Sequence, residues 1–254
     1  MNSQVLTSYQ WDLVALSFLI SVVGAFIALT ATTRIKTGKS LSIFNTLMAG
    51  TALGGVGVWA MHFVGMLALD LDVATSFSMV ETSISLVAAI LAASLALGFV
   101  ARAPESILRM LGAGLLLGTS VAFMHYLGMY GMKFGGFIEW DFAVVGVSVA
   151  IAIAASTAAL WLAFRKTNIA RRLAAAVVMA VAVSAMHYTG MSAAEFICTT
   201  AARTALPQGF GYIPSFNLAS LVTVVSLTMA VLLGLDQFLQ RTLVERPNAG
   251  RAYR

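Results

Sequence analysis

Three short segments, each with the pattern Met-His-x-x-Gly-Met, contain every histidine of the chain. The histidines are His62, His125 and His187, and successive ones are 63 and 62 residues apart. Imidazole and thioether groups are soft ligands, which suit transition metals better than Mg²⁺ or Ca²⁺. A single histidine in an apolar helix usually forms an interhelical hydrogen bond, but a threefold recurrence with two methionines in each copy indicates a shared metal site.

Helical geometry predicts how these segments face one another. A histidine and the methionine four positions later lie one turn apart on the same helix face. Small residues recur on that face seven positions before each histidine, at Gly55, Gly118 and Ala180. Small residues let helices approach closely in lipid. We therefore expect the histidine faces to point inward and the three imidazoles to meet at one depth.

The segments must be carried by long apolar helices. The chain has 254 residues, of which 60% are hydrophobic and 10% charged, whereas soluble domains are roughly a quarter charged. This composition excludes a water-soluble enzyme and indicates an all-α, polytopic membrane protein, because continuous apolar runs favour helices over barrel strands. A spanning helix needs roughly 20 apolar residues. Seven such runs are predicted, at residues 11–32, 43–69, 79–100, 108–130, 142–164, 173–194 and 216–238.

The basic residues predict the orientation of the spans. With the N-terminus outside, every Lys and Arg except Lys133 and Arg203 falls on the inner side, in agreement with the positive-inside rule. We therefore expect a protein of the cell membrane with its C-terminus inside and its three motifs near the outer face. This arrangement accounts for the net charge of +5 without a nucleic-acid partner. Trp59, Trp140 and Tyr212 are predicted to lie at the outer interface, where aromatic belts form.

The regular spacing of the motifs predicts a repeated two-helix hairpin. Three copies in one orientation cover roughly residues 11–69, 79–130 and 142–194, and a seventh helix at 216–238 lies outside the repeat. We assign residues 1–240 to one membrane domain and residues 241–254 to a short cytoplasmic tail. The chain has no phosphate-binding loop, nucleophile elbow or HExxH motif, so we do not expect an enzyme.

Carboxylates are predicted to surround the site. Asp12, Glu81 and Asp141 begin the first, third and fifth spans, and Asp70 and Glu195 lie one turn beyond the first and third motifs. They are candidates for orienting the imidazoles as hydrogen-bond acceptors or for attracting cations. Carboxylates at helix starts are also favoured by free N–H groups and the helix dipole, so capping stays open as an alternative. Lys133 occupies the equivalent place in the second copy and breaks the symmetry.

The three segments resemble the motif of the MHYT domain, a bacterial membrane module in which three motif-bearing helices near the outer face sit within a seven-helix core. The resemblance covers nearly the whole chain. It implies copper bound by the motif residues and sensing of a diatomic gas such as O₂, CO or NO. The ligands that it implies are Met61, His62, Met66, Met124, His125, Met129, Met186, His187 and Met191. Phe63 replaces the Tyr of the motif, so a Tyr hydroxyl is not required in the first copy.

These observations lead to the hypothesis of a copper-dependent sensory module that reports a gas or a redox state through helix rearrangement. Many members of the family carry cyclic di-GMP synthesis or degradation domains, and this chain has none. We therefore expect a separate effector protein as a partner. Copper transport or delivery, a haem held between two helices, and an accessory role in a larger membrane complex stay open as alternatives.

Overall fold

The described part of the chain contains seven helical spans, in agreement with the sequence prediction. The computed structural model describes residues 3–37, 40–165 and 168–244, and seven spans within them are long and apolar enough to cross a membrane. The helices are α1 (Trp11–Ala31), α2 (Ile43–Gly50), α3 (Met61–Leu67), α4 (Met79–Ala101), α5 (Ile107–Gly131), α6 (Phe142–Ala163), α7 (Ile169–Ser192) and α8 (Ser215–Val244). The second span joins α2 to α3 through a π-helical segment, Thr51–Ala60.

The second span of each repeat begins with the same kind of cap. The side chains of Ser42, Ser106 and Asn168 each accept a hydrogen bond from the backbone N–H three residues later. Such a bond satisfies one of the free donors at a helix start. The sequence predicts that the sixth span begins at residue 173, but the helix begins at Ile169. The cap at Asn168 explains this earlier start.

Short antiparallel strands close each repeat at one end of the bundle, which we call the motif end because α3, α5 and α7 finish there. The strands at the motif end are β1 (Ser3–Gln4), β2 (Thr7–Tyr9), β5 (Leu69–Leu71), β6 (Ser76–Ser78), β7 (Met132–Lys133), β8 (Gly136–Trp140), β9 (Ala194–Cys198) and β10 (Tyr212–Pro214). At the opposite end, β3 (Lys36–Thr37) and β4 (Ser40–Leu41) form a hairpin between α1 and α2. β2 pairs with β5, β6 with β7, and β8 with β9. In every repeat, therefore, the strand before the first helix pairs with the strand after the second span.

The three repeats pack head to tail in a ring. α4 of the second repeat packs against the second span of the first, α6 of the third repeat packs against α5, and α1 packs against α7. α8 contacts α1, α3 and the π-helical segment from outside this ring. The predicted arrangement of three hairpins and one additional helix is thus confirmed.

Glycines bring neighbouring repeats into backbone contact, but not all at the predicted positions. A Cβ on Gly118 of α5 would overlap the backbone of α6, as the small-residue pattern predicts. In the first repeat the equivalent contact with α4 is made by Gly54 and not by Gly55. Gly54 is eight residues before His62, whereas Gly118 is seven before His125. The prediction for the first repeat is wrong by one residue because the π-helical segment accommodates one extra residue.

The outward faces of the bundle are apolar. Leu91 and Leu95 of α4, and Leu227 and Leu232 of α8, are each exposed over half of their surface or more. Large contiguous apolar surfaces are rare on proteins that face water, and these helices have the length needed to cross a hydrocarbon core. The chain is therefore a multi-pass membrane protein. Which end faces the cytoplasm stays a prediction.

Candidate metal centre

The structure brings the three histidines together inside the bundle. His62 comes from α3, His125 from α5 and His187 from α7, and all three side chains are fully buried. Their Nδ1 atoms form a triangle with sides of 3.1, 3.1 and 3.3 Å. The rings stand nearly perpendicular to one another, with interplanar angles of 68 to 88°. One imidazole from each repeat therefore contributes to a single centre.

The triangle of Nδ1 atoms fits a small transition-metal ion. A neutral imidazole nitrogen either carries a hydrogen or offers an in-plane lone pair, so three facing nitrogens cannot each donate and accept a hydrogen bond. When Nε2 carries the hydrogen in every ring, three lone pairs face one another. Nitrogen ligands arranged tetrahedrally at about 2.0 Å from a metal lie about 3.3 Å apart. The observed spacing matches that arrangement closely.

The other side of each imidazole touches the next repeat. The three Nε2 atoms are buried, and none of them makes a hydrogen bond within the described residues. Each Nε2 lies against the glycine of a neighbouring motif: His62 against Gly128, His125 against Gly190 and His187 against Gly65. A Cβ on any of these glycines would overlap the ring. The motif glycine thus leaves the space through which the imidazole of the preceding repeat reaches the centre.

The six motif methionines are buried in the same helix segments, each with 3% or less of its surface exposed. They are Met61, Met66, Met124, Met129, Met186 and Met191. Two of them also line cavities at the motif end: Met66 a cavity of the first repeat and Met129 a cavity of the second. Their assignment as ligands stays a prediction.

The five candidate carboxylates lie at the motif end, away from the hydrogen bonds of the triad. Among the described residues, no hydrogen bond joins any of the five carboxylates to an imidazole, and the Nδ1 atoms lie within hydrogen-bond distance of one another. Asp12, Asp70, Asp141 and Glu195 are exposed, and Glu81 is partly exposed. Asp141 accepts hydrogen bonds from the first backbone N–H groups of α6, which is the capping role. Glu81 accepts hydrogen bonds from Ser78 and from Lys133. Any role of these carboxylates toward a metal stays a prediction.

The tyrosines of the second and third motifs connect each repeat to the next. The hydroxyl of Tyr126 lies 2.6 Å from Oγ of Ser148 in α6, and that of Tyr188 lies 3.1 Å from Oγ of Ser17 in α1. Each serine already donates its hydrogen to a carbonyl of its own helix. Because a serine hydroxyl has one hydrogen, the tyrosine is the donor. Each tyrosine also packs edge-on against the histidine beside it.

Trp59 makes the corresponding connection in the first repeat, where Phe63 has no hydroxyl. Its indole N–H donates to Oγ of Ser85 at 3.1 Å and to the carbonyl of Thr82 at 3.2 Å, both in α4. Ser85 is the seventh residue of its helix, as Ser17 and Ser148 are of theirs. The prediction that Trp59 lies at the membrane interface is wrong, because the side chain is 2% exposed and its polar atom bonds inside the bundle.

Comparison with known proteins identifies the family. The model of the MHYT repeat, described as a bacterial signalling protein N-terminal repeat, matches three times, over residues 55–113, 118–176 and 181–243. The chain belongs to the MHYT family. Each match begins inside a motif-bearing span, shortly before its histidine, and continues through the next helix, which is α4, α6 or α8. The family repeat is therefore offset from the hairpin repeat by about one helix, and each copy of it contains one motif.

The curated relatives of this MHYT protein are larger signalling proteins. It is 37% identical over 196 residues to the bifunctional diguanylate cyclase/cyclic di-GMP phosphodiesterase MucR of Pseudomonas aeruginosa, covering 75% of this chain and 29% of MucR. It is 32% identical to the signaling protein YkoW of Bacillus subtilis, covering 74% of this chain and 24% of YkoW. The chain spans less than a third of the length of these relatives. No solved structure matches it significantly. The MHYT repeats make this chain a membrane module of signalling proteins.

Proposed function

We propose that this MHYT module is a copper-dependent sensor in which His62, His125 and His187 hold the metal through Nδ1 and the motif methionines supply thioethers around it. The observation that carries the proposal is the buried triangle of Nδ1 atoms, with no side longer than 3.3 Å. Three imidazoles without a carboxylate favour Cu(I), or Cu(II) bound mainly through nitrogen, over hard cations. The ligand set thus supports copper.

The signal we propose is a diatomic gas, O₂, CO or NO, or a change of redox state. Copper, when bound, supplies a centre that can take up such a molecule or change its oxidation state. The residues of the chain hold the three imidazoles in place and exclude water from the centre. A haem fits this arrangement poorly, because the imidazole rings contact one another, with centroids 4.8 to 5.1 Å apart, and leave no gap for a macrocycle.

The path by which the signal leaves the centre follows from the ring of contacts. Each imidazole touches a glycine of the next repeat, and Trp59, Tyr126 and Tyr188 each bond to a serine of the next repeat. A small change in the spacing of the imidazoles therefore acts on all three interfaces at once. A ligand shifts such an equilibrium only when it binds the two arrangements differently.

We propose that the module itself is not an enzyme and acts through an effector protein. MucR carries cyclic di-GMP enzyme activities in its name, and an effector of this class is the partner that we propose for the present chain. The effector is expected on the cytoplasmic side of the cell membrane, where the basic ends of the spans are predicted to lie.

Elemental analysis of the purified full chain in lipid nanodiscs tests the proposal. After exposure to Cu(I) and removal of free metal, we expect one copper ion per chain, and an infrared band of bound CO once CO is added. Joint replacement of His62, His125 and His187 by Gln should abolish both signals, whereas Met179→Leu, a buried change in α7 outside the motif, should leave them intact. A wild-type protein without copper, or equal copper in the triple variant, would contradict the proposal. Copper flux across proteoliposomes would instead favour transport.

A further inference from the structure

The buried triad needs a route by which an ion can reach it. All three imidazoles are at most 1% exposed, so an ion must enter past other side chains. Three cavities lie at the motif end, and each borders the motif-end segments of a different repeat. They differ in the chemistry of their linings, and this difference distinguishes one of them as an entrance for a cation.

The cavity of the first repeat, which we call the vestibule, combines thioethers with a carboxylate. It has a volume of about 470 Å³ and is lined by Gln10, Met66, Asp70, Phe77 and Met132, among others. Met66 is the motif methionine one helical turn after His62. Met132 lies in β7 and belongs to no motif, and both thioether side chains are buried. Asp70 lies in β5 and is exposed.

The cavity of the second repeat has thioethers but the opposite charge. It has a volume of about 320 Å³, and its lining includes Met129, Met132 and Lys133. The ammonium group of Lys133 lies 3.4 Å from the carboxylate of Glu81 and 4.3 Å from the ring centroid of Tyr130. The ammonium group of Lys133 offsets the carboxylate of Glu81, so this opening has no unpaired negative charge that would attract a metal ion.

The cavity of the third repeat has carboxylates but no thioether. It has a volume of about 450 Å³, and its lining includes Glu139, Asp141 and Glu195. Asp141 is already engaged in capping α6. Carboxylates without a soft ligand attract hard cations as well as soft ones. Of these three cavities, only the vestibule therefore joins an exposed carboxylate to thioethers and leads to a motif methionine.

We propose that the vestibule is the loading site for a soft monovalent cation, Cu(I), with Asp70 attracting the ion and Met132 receiving it before Met66. This inference rests on the proposed copper site. The transfer exchanges one set of ligands for another, so the oxidation state of the ion does not change and no electron acceptor is required. Thioethers bind Cu(I) well and hard cations poorly, so Met132 stabilises Cu(I) on this route but not Mg²⁺ or Ca²⁺.

The rate of loading tests the vestibule separately from the metal site. The full chain in nanodiscs is mixed with Cu(I) supplied as its cationic acetonitrile complex. Samples are stopped at set times with bicinchoninate, whose coloured Cu(I) complex measures the copper not yet taken up. We expect Asp70→Asn and Met132→Leu each to slow loading several-fold while the final copper content per chain stays that of the wild type. Raising the ionic strength should slow loading of the wild type and have less effect on Asp70→Asn, because steering by an exposed charge is screened by salt.

Two matched variants serve as controls. Glu139→Gln removes an exposed carboxylate that lines the cavity of the third repeat. Met79→Leu changes a methionine at the motif end that lines none of the three cavities. Both should load at the wild-type rate. Wild-type loading rates in Asp70→Asn and Met132→Leu, with full copper content, would overturn the vestibule and leave the metal site standing. A wild-type protein that takes up no copper would overturn both. Because Asp70 is exposed, its replacement tests the proposal even if Met132→Leu fails to fold.

Discussion

The first repeat and the other two reach the same centre with different local structure. α5 and α7 are uninterrupted helices, whereas the second span of the first repeat contains the ten-residue π-helical segment Thr51–Ala60 and is the most deeply buried of the seven spans. Despite this, the Nδ1 atom of its histidine lies 3.1 Å from those of both other repeats. The geometry of the centre is therefore maintained although the helix that supplies one third of it is different.

The π-helical segment compensates for one additional residue. In the first repeat Gly50 and Gly54 make the close contacts that Gly114 and Gly118 make in the second, with Ser94 and Ala89 taking the places of Thr157 and Ile153. The i to i+5 bonds of a π-helix make wider turns, so an extra residue is accommodated before His62 without turning that side chain away. The carbonyl of Gly57 in this segment accepts a hydrogen bond from Ser21 of α1. Neighbouring helices thus support the irregular segment.

The same comparison holds for the polar link to the next repeat. Two repeats use a tyrosine beside the histidine, and the first uses an indole one helical turn earlier. In all three cases the acceptor is a fully buried serine at the same position of the next helix. The serine is the constant element, and the donor varies.

The largest effect is expected where the repeats are equal, at the motif glycines. Gly65→Ala, Gly128→Ala and Gly190→Ala each place a Cβ on an imidazole. We expect each change to lower copper affinity by roughly 100-fold or more, because supporting contacts of metal ligands are commonly worth 10- to 100-fold and here the ligand itself must move. Competition with a Cu(I) chelator measures the affinity.

Gly112→Ala and Gly146→Ala are the matched controls, since a Cβ at either glycine meets nothing within 4 Å, and both should bind copper normally. If Ala at one motif glycine left copper affinity unchanged while Ala at the others lowered it, the three glycine–imidazole contacts would not be equivalent. That result would contradict the symmetric ring.

A smaller effect is expected at the glycines that contact a neighbouring helix, which stand one residue further from the histidine in the first repeat than in the second. Gly54→Ala and Gly118→Ala each force a Cβ into the backbone of a neighbouring helix, and overpacking of this kind typically costs about 1–3 kcal/mol. Gly55→Ala meets the flexible side chains of Met229 and Ile90 at 3.2 Å or more, and we expect it to cost under about 1 kcal/mol. Unfolding by SDS in mixed micelles gives these free energies. A larger loss for Gly55→Ala than for Gly54→Ala would contradict the shifted register.

The sequence alone predicts the centre better than the scaffold around it. Three inward-facing imidazoles can be predicted from the spacing of His62, His125 and His187 together with the apolar spans. Helical periodicity then determines which face of each span carries its histidine. The π-helical segment could not be predicted, since its register is set by contacts of Gly54 with another helix. The short strands carry no clear alternating pattern. The role of Trp59 could have been predicted. Phe63 lacks the hydroxyl of the motif tyrosine, and Trp59, four residues earlier on the same helix face, carries an N–H that can replace it.

Replacing the donor in the first repeat is expected to have a moderate effect. Trp59→Phe removes a buried N–H bonded to Ser85 and Thr82, and we expect a loss of about 1–2 kcal/mol in the free energy of unfolding. Adding Phe63→Tyr should recover part of this loss, because residue 63 occupies the place in its motif that Tyr126 and Tyr188 occupy in theirs, and both of those hydroxyls reach a serine. Tyr126→Phe should cost about 1 kcal/mol. If the double variant is no more stable than Trp59→Phe, the indole contributes packing and does not replace the tyrosine.

The smallest effect is expected at the starts of the first helices, where the third repeat differs from the first. Asp141 bonds to the backbone N–H groups of Ala143 and Val144, whereas α1 begins without a side-chain cap and Asp12 stands in its first turn. Loss of a cap typically costs about 1 kcal/mol, so Asp141→Ala should lower the free energy of unfolding by about that amount, and Asp12→Ala by less than half of it. Asp141→Asn keeps an acceptor and should cost little. Copper content should be unchanged in all three variants, because these carboxylates form no hydrogen bond to the imidazoles. A lower copper affinity in Asp141→Asn would contradict this, since it would show that the charge of Asp141 acts on the metal site as well as on the helix.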